Sequence, residues 1–239
     1  MKADGRPTHR LKYGGSVAMT LDHLDSLLAE QVAYYRARAY EYDATHALDA
    51  ASRAKLLAAL RVFSPRGRVL ELACGTGQWT AELATHASLL TAVDASPEMI
   101  ALNRARVPTD NVHYVEADLF AWPAAERYDV VFFSTWLSHV PPQRFEGFWA
   151  LVGECLKENG RVFFIDELPA VAAHERWIAD AIAPLVERSL TTGERYRAIK
   201  VLYDPAELGA RLSQLGWLAD IRPVGWRLFY ATVERAPTR

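Results

Sequence analysis

No stretch constrains the fold of this 239-residue chain more than residues 69–80, VLELACGTGQWT. Val69, Leu70 and Leu72 read as a buried strand, and Gly75 and Gly77 then allow a tight turn before a helix begins near Gln78. Strand, glycine loop and helix N-terminus in that order let a nucleoside-bearing ligand come close to the backbone. Glycine has no Cβ to hold it off, and the helix end offers free N–H groups. A second apolar strand, Leu89 to Val93, closes on Asp94. In a doubly wound sheet a carboxylate there can accept hydrogen bonds from two ribose hydroxyls.

Two cofactor classes use such a loop. A nicotinamide dinucleotide site requires G-x-G-x-x-G, whose third glycine lets helix and strand pack closely, and here that position is Thr80. The stretch E-L-A-C-G-T-G instead resembles the first motif of class I S-adenosylmethionine-dependent methyltransferases, an acidic residue followed by glycines at alternate positions. Ala73 stands where that family most often has its first glycine. The resemblance implies a seven-stranded doubly wound α/β sheet of Rossmann type with an antiparallel last strand, and S-adenosylmethionine as cofactor. It places Glu71, Ala73, Gly75 and Gly77 at the amino-acid portion of the cofactor, and Asp94 with Ala95 at the ribose.

Further motifs extend the resemblance over residues 30–234. In D-A-S-P-E-M, Ser96 is an N-cap and Pro97 the first helical residue, so a helix follows to about Arg106. Met99 would then pack on the adenine, with Asp118 receiving its amino group and Leu119 forming the apolar wall. The R-A-x-E-Y-D segment brings Arg38 and Tyr42 to the methionine end. A fourth apolar strand, Tyr128 to Phe133, ends in S-T-W-L-S-H-V-P, which resembles bacterial small-molecule methyltransferases of natural-product pathways and puts Ser134 at the cofactor.

Around this frame the sequence divides into a tail over 1–19, with no period, and one methyltransferase domain over 20–239. Residues 20–62 read as one helix from Thr20, striped by Leu21, Leu24, Leu28, Val32 and Tyr35, and a second from Asp43 to about Val62, which the resemblance implies are a cover over the cofactor. Residues 168–203 are more than a crossover needs, and the resemblance implies that this insertion is a lid over the substrate pocket, expected to hold a helix from Val171 to Ser189 and then a strand-like run. Asp204 caps a short helix, and two strands turned at Gly225 end the fold.

Composition excludes several partners. A formal net charge of -2 gives no excess cation for a nucleic acid, and no apolar run reaches the roughly 18 residues of a membrane helix. Cys74 and Cys155 are too few for a disulfide framework, and no signal-peptide core is visible, so the expected location is the cytoplasm. The seven histidines contain no metal-binding spacing. Asp166 and Glu167 resemble one side of a catechol methyltransferase magnesium site, but Ser134 supplies no partnering carboxylate, so no metal is expected. The resemblance to small-molecule methyltransferases implies a small-molecule acceptor, methylated at nitrogen or oxygen, with Tyr35, Trp136, His139 and Tyr196 as the residues expected to hold it. His139 is the candidate catalytic base, its reference pKa of ~6.5 suiting proton removal near neutral pH, although it can equally fix its loop through a backbone carbonyl. A peptide or protein methyltransferase and a non-catalytic cofactor-binding protein are the other readings, and the chain is expected to be a monomer or homodimer.

Overall fold

The structure, a computed structural model, describes residues 21–237 apart from 180 and 182. The expected tail over 1–19 lies outside the described residues. In chain order, α1 spans Leu21–Arg38, a 3-10 turn Ala39–Glu41, α2 Tyr42–Thr45, α3 Ala50–Phe63, β1 Gly67–Leu72, α4 Thr80–His86 and β2 Ala87–Asp94. There follow α5 Pro97–Arg106, β3 Val112–Glu116, β4 Tyr128–Ser134, α6 Phe145–Cys155 and β5 Leu156–Glu167. The chain ends with β6 Leu185–Ser189, β7 Arg195–Ile199, α7 Pro205–Gln214, β8 Trp217–Val224 and β9 Leu228–Arg235.

Seven strands form one sheet in the order β3-β2-β1-β4-β5-β9-β8. The first five are parallel, and β9 runs antiparallel to both of its neighbours. The alternation along the central strands explains the layers. Leu70, Leu72, Val131, Phe133 and Phe164 meet Phe148, Trp149 and Leu208 of α6 and α7, while Val69, Val130, Phe132 and Phe163 meet Leu56, Leu60 and Leu83 of α3 and α4. Both faces are therefore buried, as a parallel sheet needs. Its order reverses direction between β1 and β4, so the carboxyl ends of these strands open the crevice where ligands bind.

Two expectations for the cover and lid are corrected. The second cover helix is broken at 46–49, where the Asp49 side chain accepts from the Ser52 N–H at 2.8 Å and starts α3 anew. The helix expected over 171–189 is a 3-10 turn, Pro169–His174, followed by β6, which pairs antiparallel with β7. Leu190 N–H to Glu194 O and Gly193 N–H to Leu190 O close that hairpin, and Gly193 adopts a φ of 93° that only glycine takes without strain. Alanine-rich helix propensity loses here to long-range pairing.

That hairpin is the partner of α1. Leu24, Leu27 and Leu28 pack against Leu185 and Ile199, and Glu30 Oε2 accepts from both Arg197 Nε and Nη2, at 2.9 and 2.6 Å. Gln31 joins them inside, its Oε1 accepting from Ile199 N–H at 2.9 Å. Cover and lid thus form a packed unit over the carboxyl edge of the sheet.

Candidate active site

Beyond the ends of β1 and β4 the backbone takes two conformations that L-residues avoid: Ala73 has φ 52° and Thr135 φ 50°. Such left-handed residues cost of order 1–3 kcal/mol each and cluster at ligand sites. Ala73 sits where glycine would be unstrained, and the loop it starts is tied down on every side. Asp94 Oδ2 accepts from Gly75 N–H at 2.8 Å and Oδ1 from Ser96 N–H at 2.9 Å, joining the loops after β1 and β2. Asn103 Nδ2 donates to Gly75 O at 3.3 Å and to Thr80 Oγ1 at 2.8 Å. From outside, Asp43 Oδ1 accepts from Thr76 Oγ1 at 2.6 Å and Gln78 Nε2 at 2.8 Å, so the cover clasps the loop.

The two glycines serve different ends. A Cβ at Gly75 would meet nothing within 4 Å, since the residue faces the cavity, whereas one at Gly77 would lie 2.4 Å from Asn103 Oδ1. Gly77 therefore serves helix packing beneath the loop.

A cavity of about 800 Å³ occupies the crevice. Ala73, Gly75, Asp94, Ala95, Met99, Asp118, Leu119 and Ser134 line it. Tyr35, Tyr42, Trp136 and His139 complete the wall toward the cover. The sequence did not single out Gln31, Ala117, Phe120, Thr135 and Arg144, which line it as well. The buried Trp136 indole N–H has no hydrogen-bond partner among the described residues.

The remaining residues singled out in the sequence stand elsewhere. Glu71 lies beneath the loop, lining a small adjoining space with Tyr42, His46 and Ala73. Tyr196 packs on Tyr34, ring centroids 5.7 Å apart, and is in neither wall of that crevice. Arg38 borders a separate chamber, where it donates to Thr45 Oγ1 at 2.6 Å and His46 Nδ1 at 2.7 Å. Asp166 and Glu167 are engaged by protein groups: Asp166 Oδ2 accepts from Ser138 N–H at 2.9 Å, and Glu167 binds Lys200 and Arg227. Among the described residues no cluster of histidine, cysteine or carboxylates could hold a metal ion.

His139 is held at both nitrogens. A carbonyl can only accept, so Nδ1 donates its proton to Ile199 O at 2.7 Å, and Nε2 then accepts the Tyr35 hydroxyl proton at 2.8 Å. Burial, reinforced by Lys200 and Arg188, keeps the imidazole well below its ordinary pKa and therefore neutral.

Glu71 is perturbed in the other direction. It is 2 % exposed, and burial pushes its carboxyl up to about 8, partly offset by the Thr80 hydroxyl donating at 2.7 Å. Folding thus holds a proton that the unfolded chain releases near pH 4.5. The contribution of this group is fully present below pH 4.5 and lost as pH rises through about 8, with a slope of about 1.4 kcal/mol per unit. Glu71→Gln, which keeps an oxygen for Thr80, should remove that slope from the ligand-free protein. Urea midpoints measured from pH 5 to 8 test this, and parallel wild-type and variant curves would refute it.

Comparison with known proteins assigns the class. A methyltransferase-domain family model matches residues 69–160. The solved DhpI–SAH complex is 41% identical, superposes with a TM-score of 0.79, and the match covers 90% of this chain and 99% of that one. The chain belongs to the class I S-adenosylmethionine-dependent methyltransferases, and S-adenosylmethionine is its cofactor. Curated relatives match over shorter spans. An uncharacterized methyltransferase of Synechocystis sp. is 33% identical over 104 residues, 43% of this chain and 48% of its own length. The ubiquinone biosynthesis O-methyltransferase of Coxiella burnetii is 33% identical over 103 residues, 40% and 42% respectively. The matches thus span less than half the length of these two relatives. At 18% identity and a TM-score of 0.65, the 1,6-didemethyltoxoflavin-N1-methyltransferase of Burkholderia thailandensis shares the fold, with 92% and 94% of the two chains covered.

The cavity fits this cofactor. Asp94 contributes a carboxylate to the wall, Met99 and Leu119 contribute apolar surface, and the cavity-facing side of Gly75 is left clear by the absent Cβ. No helix among the described residues is long and apolar enough to cross a membrane.

Proposed function

We propose that this enzyme transfers the methyl group to a nitrogen or oxygen of a small metabolite in a natural-product pathway. The observation that carries the reading is the covering of the crevice by α1, whose Leu28, Gln31, Val32 and Tyr35 line it and which the β6–β7 hairpin holds in place. Packing of α1 on β6 and β7 leaves about 800 Å³, and the cofactor fills a large share of that volume. What remains, beside Tyr35, Phe120 and Trp136, suits a small acceptor better than a peptide segment. Two similar proteins support it by their descriptions: DhpI, 42% identical, as a SAM–HEP complex, and the Coxiella enzyme as an O-methyltransferase of ubiquinone biosynthesis.

The cofactor, when bound, supplies a sulfonium methyl group open to attack. An acceptor lone pair forms the bond to that carbon while the carbon–sulfur pair passes to sulfur, and a neutral acceptor then gives up a proton. The residues of this chain serve alignment, worth as much as ~7 to 11 kcal/mol when geometry is ideal. In this reading Asp94 holds the ribose, Asp118 accepts from the adenine amino group, and Tyr42 and Ser134 bound the methionine end. His139 acts as a positioning residue, fixing Tyr35 at the cavity wall and the Ile199 carbonyl beneath it.

Because the lone pair of Nε2 is engaged and its basicity lowered, His139→Ala should reduce turnover at saturating cofactor and acceptor by less than about 100-fold, the lower bound for general-base catalysis. A larger loss at unchanged cofactor affinity would restore the base assignment. The function itself is tested by incubating the enzyme with methyl-labelled cofactor and fractionated acceptors. Label in low-molecular-mass fractions is expected. Label only in peptides or proteins, or cofactor binding with no transfer to any fraction, would overturn the proposal.

A further inference from the structure

Beside the crevice lies a second chamber of about 400 Å³, with Tyr35, Tyr42, Thr135 and His139 common to both walls. Its polarity is opposite to that of a protein with net charge -2. Four cationic side chains reach it: Arg38 from α1, Arg188 from β6, Lys200 just after β7 and Arg227 just before β9. Two carboxylates answer them. Glu175 pairs with Arg188, Oε1 accepting from Nη2 at 2.9 Å, and Glu167 takes both Lys200 and Arg227. At the rim, Arg176 and Glu187 face each other at 3.8 Å and cancel. Glu41, whose charge also acts on Arg38, lies outside the chamber wall and accepts from Thr191 N–H and Oγ1. Four cations against two carboxylates leave a surplus of two positive charges among the described residues.

Arg38 is the centre of that surplus. It is 6 % exposed and lies over the rings of Tyr34 and Tyr42, and its hydrogen bonds to Thr45 and His46 bring no negative charge. A guanidinium taken out of water is costly unless an anion faces it. His46 and His139, which line the chamber, are held neutral there. Burial, followed by Arg38, lowers His46 to about 3, and burial with Lys200 and Arg188 holds His139 well below its ordinary value. Guanidinium forks match the paired oxygens of carboxylate and phosphoryl groups.

We infer that this chamber binds an oxyanion of the methyl acceptor, a carboxylate or a phosphoryl group, with Arg38 and Arg188 as its anchors. The acceptor is then an anionic small molecule that reaches the main cavity past Tyr35. This rests on the main cavity being the methyl-transfer site, and the test separates the two.

The protein is first saturated with S-adenosylhomocysteine, that binding being measured by itself. It is then titrated calorimetrically with inorganic phosphate and, in a second arm, with acetate, each against chloride at equal ionic strength. Saturable binding of at least one anion is expected, and the tighter one names the acceptor class. Arg38→Gln breaks no ion pair and should weaken the anion about tenfold or more, the effect of losing a charge-assisted hydrogen bond. The double variant Arg188→Gln/Glu175→Gln, which removes a cation together with its partner, should do the same. As a second readout, the anion should raise the melting temperature of the wild type more than that of either variant. No saturable binding of either anion, or equal binding and equal melting shifts in wild type and variants, overturns the inference. Failure of the wild type to bind S-adenosylhomocysteine would instead remove the transfer-site reading on which it rests.

Discussion

Asp94→Ala is expected to weaken S-adenosylhomocysteine binding by 100-fold or more. Each oxygen of this carboxylate already accepts one backbone N–H, from Gly75 and from Ser96, which fixes its plane at the end of β2 and leaves the remaining lone pairs for two ribose hydroxyls. Hydrogen bonds to a charged group contribute about 1.5 to 3 kcal/mol each, and two of them together amount to about two to four powers of ten in affinity. The same change leaves the Gly75 and Ser96 N–H groups without an acceptor, so the loop that faces the cofactor also loosens. Asp94→Asn is not a silent control. Both carboxylate oxygens meet donors, and an amide NH₂ must therefore point at one of those two N–H groups. Calorimetry on both variants provides the measurement. A loss below about tenfold in Asp94→Ala would remove Asp94 from the ribose site.

The sheet and its loop could be read from residues because local pattern and tertiary demand agree there. Alternating apolar residues in β1, β4 and β5 face two different cores, and Ser96 with Pro97 starts α5 where the capping rule puts it. Thr80, which excluded a dinucleotide fingerprint, ties strand to helix instead, donating to Glu71 and accepting from Asn103. What could not be read depends on contacts far apart in the chain. The lid folds as a hairpin because β6 finds β7 and both find α1, none of which shows in a window around Val171 to Ser189. The break at 46–49 is set by a cap, and its only local signal, Asp49 three residues before Ser52, is common in loops. The cationic chamber is assembled from α1, β5, β6, the segment after β7 and the turn before β9, so neither spacing nor the overall charge announces it. Arg38 is the instructive residue. The motif carrying it was visible, but burial among tyrosines on the far side of Tyr42 was not.

Gly77→Ala should destabilise the protein by about 3 kcal/mol, whereas Gly75→Ala should cost about 1 kcal/mol and act chiefly on the ligand. Both residues have positive φ, 86° and 52°, where an L side chain carries a penalty of roughly 1 to 2 kcal/mol. The difference comes from what a Cβ meets. At Gly77 it would lie 2.4 Å from Asn103 Oδ1, 2.7 Å from its Cγ and 3.2 Å from its Cα, so rotation of the side chain alone gives no relief. Asn103 is fully buried and cannot yield cheaply. Its Nδ2 serves Thr80 and Gly75 O, and its Oδ1 accepts the Tyr114 hydroxyl at 3.0 Å. Overpacking of that kind adds about 1 to 3 kcal/mol to the backbone strain, a large part of the 5–15 kcal/mol that holds a typical domain together. At Gly75 the Cβ meets no protein atom within 4 Å and projects toward the cofactor, so stability is nearly kept while S-adenosylhomocysteine binding falls. Denaturation midpoints and calorimetry on the pair separate the two effects. Gly77→Ala within about 1 kcal/mol of wild type would refute the packing role of Gly77, and Gly75→Ala with unaltered ligand affinity would show that the loop approaches its cofactor by some other surface.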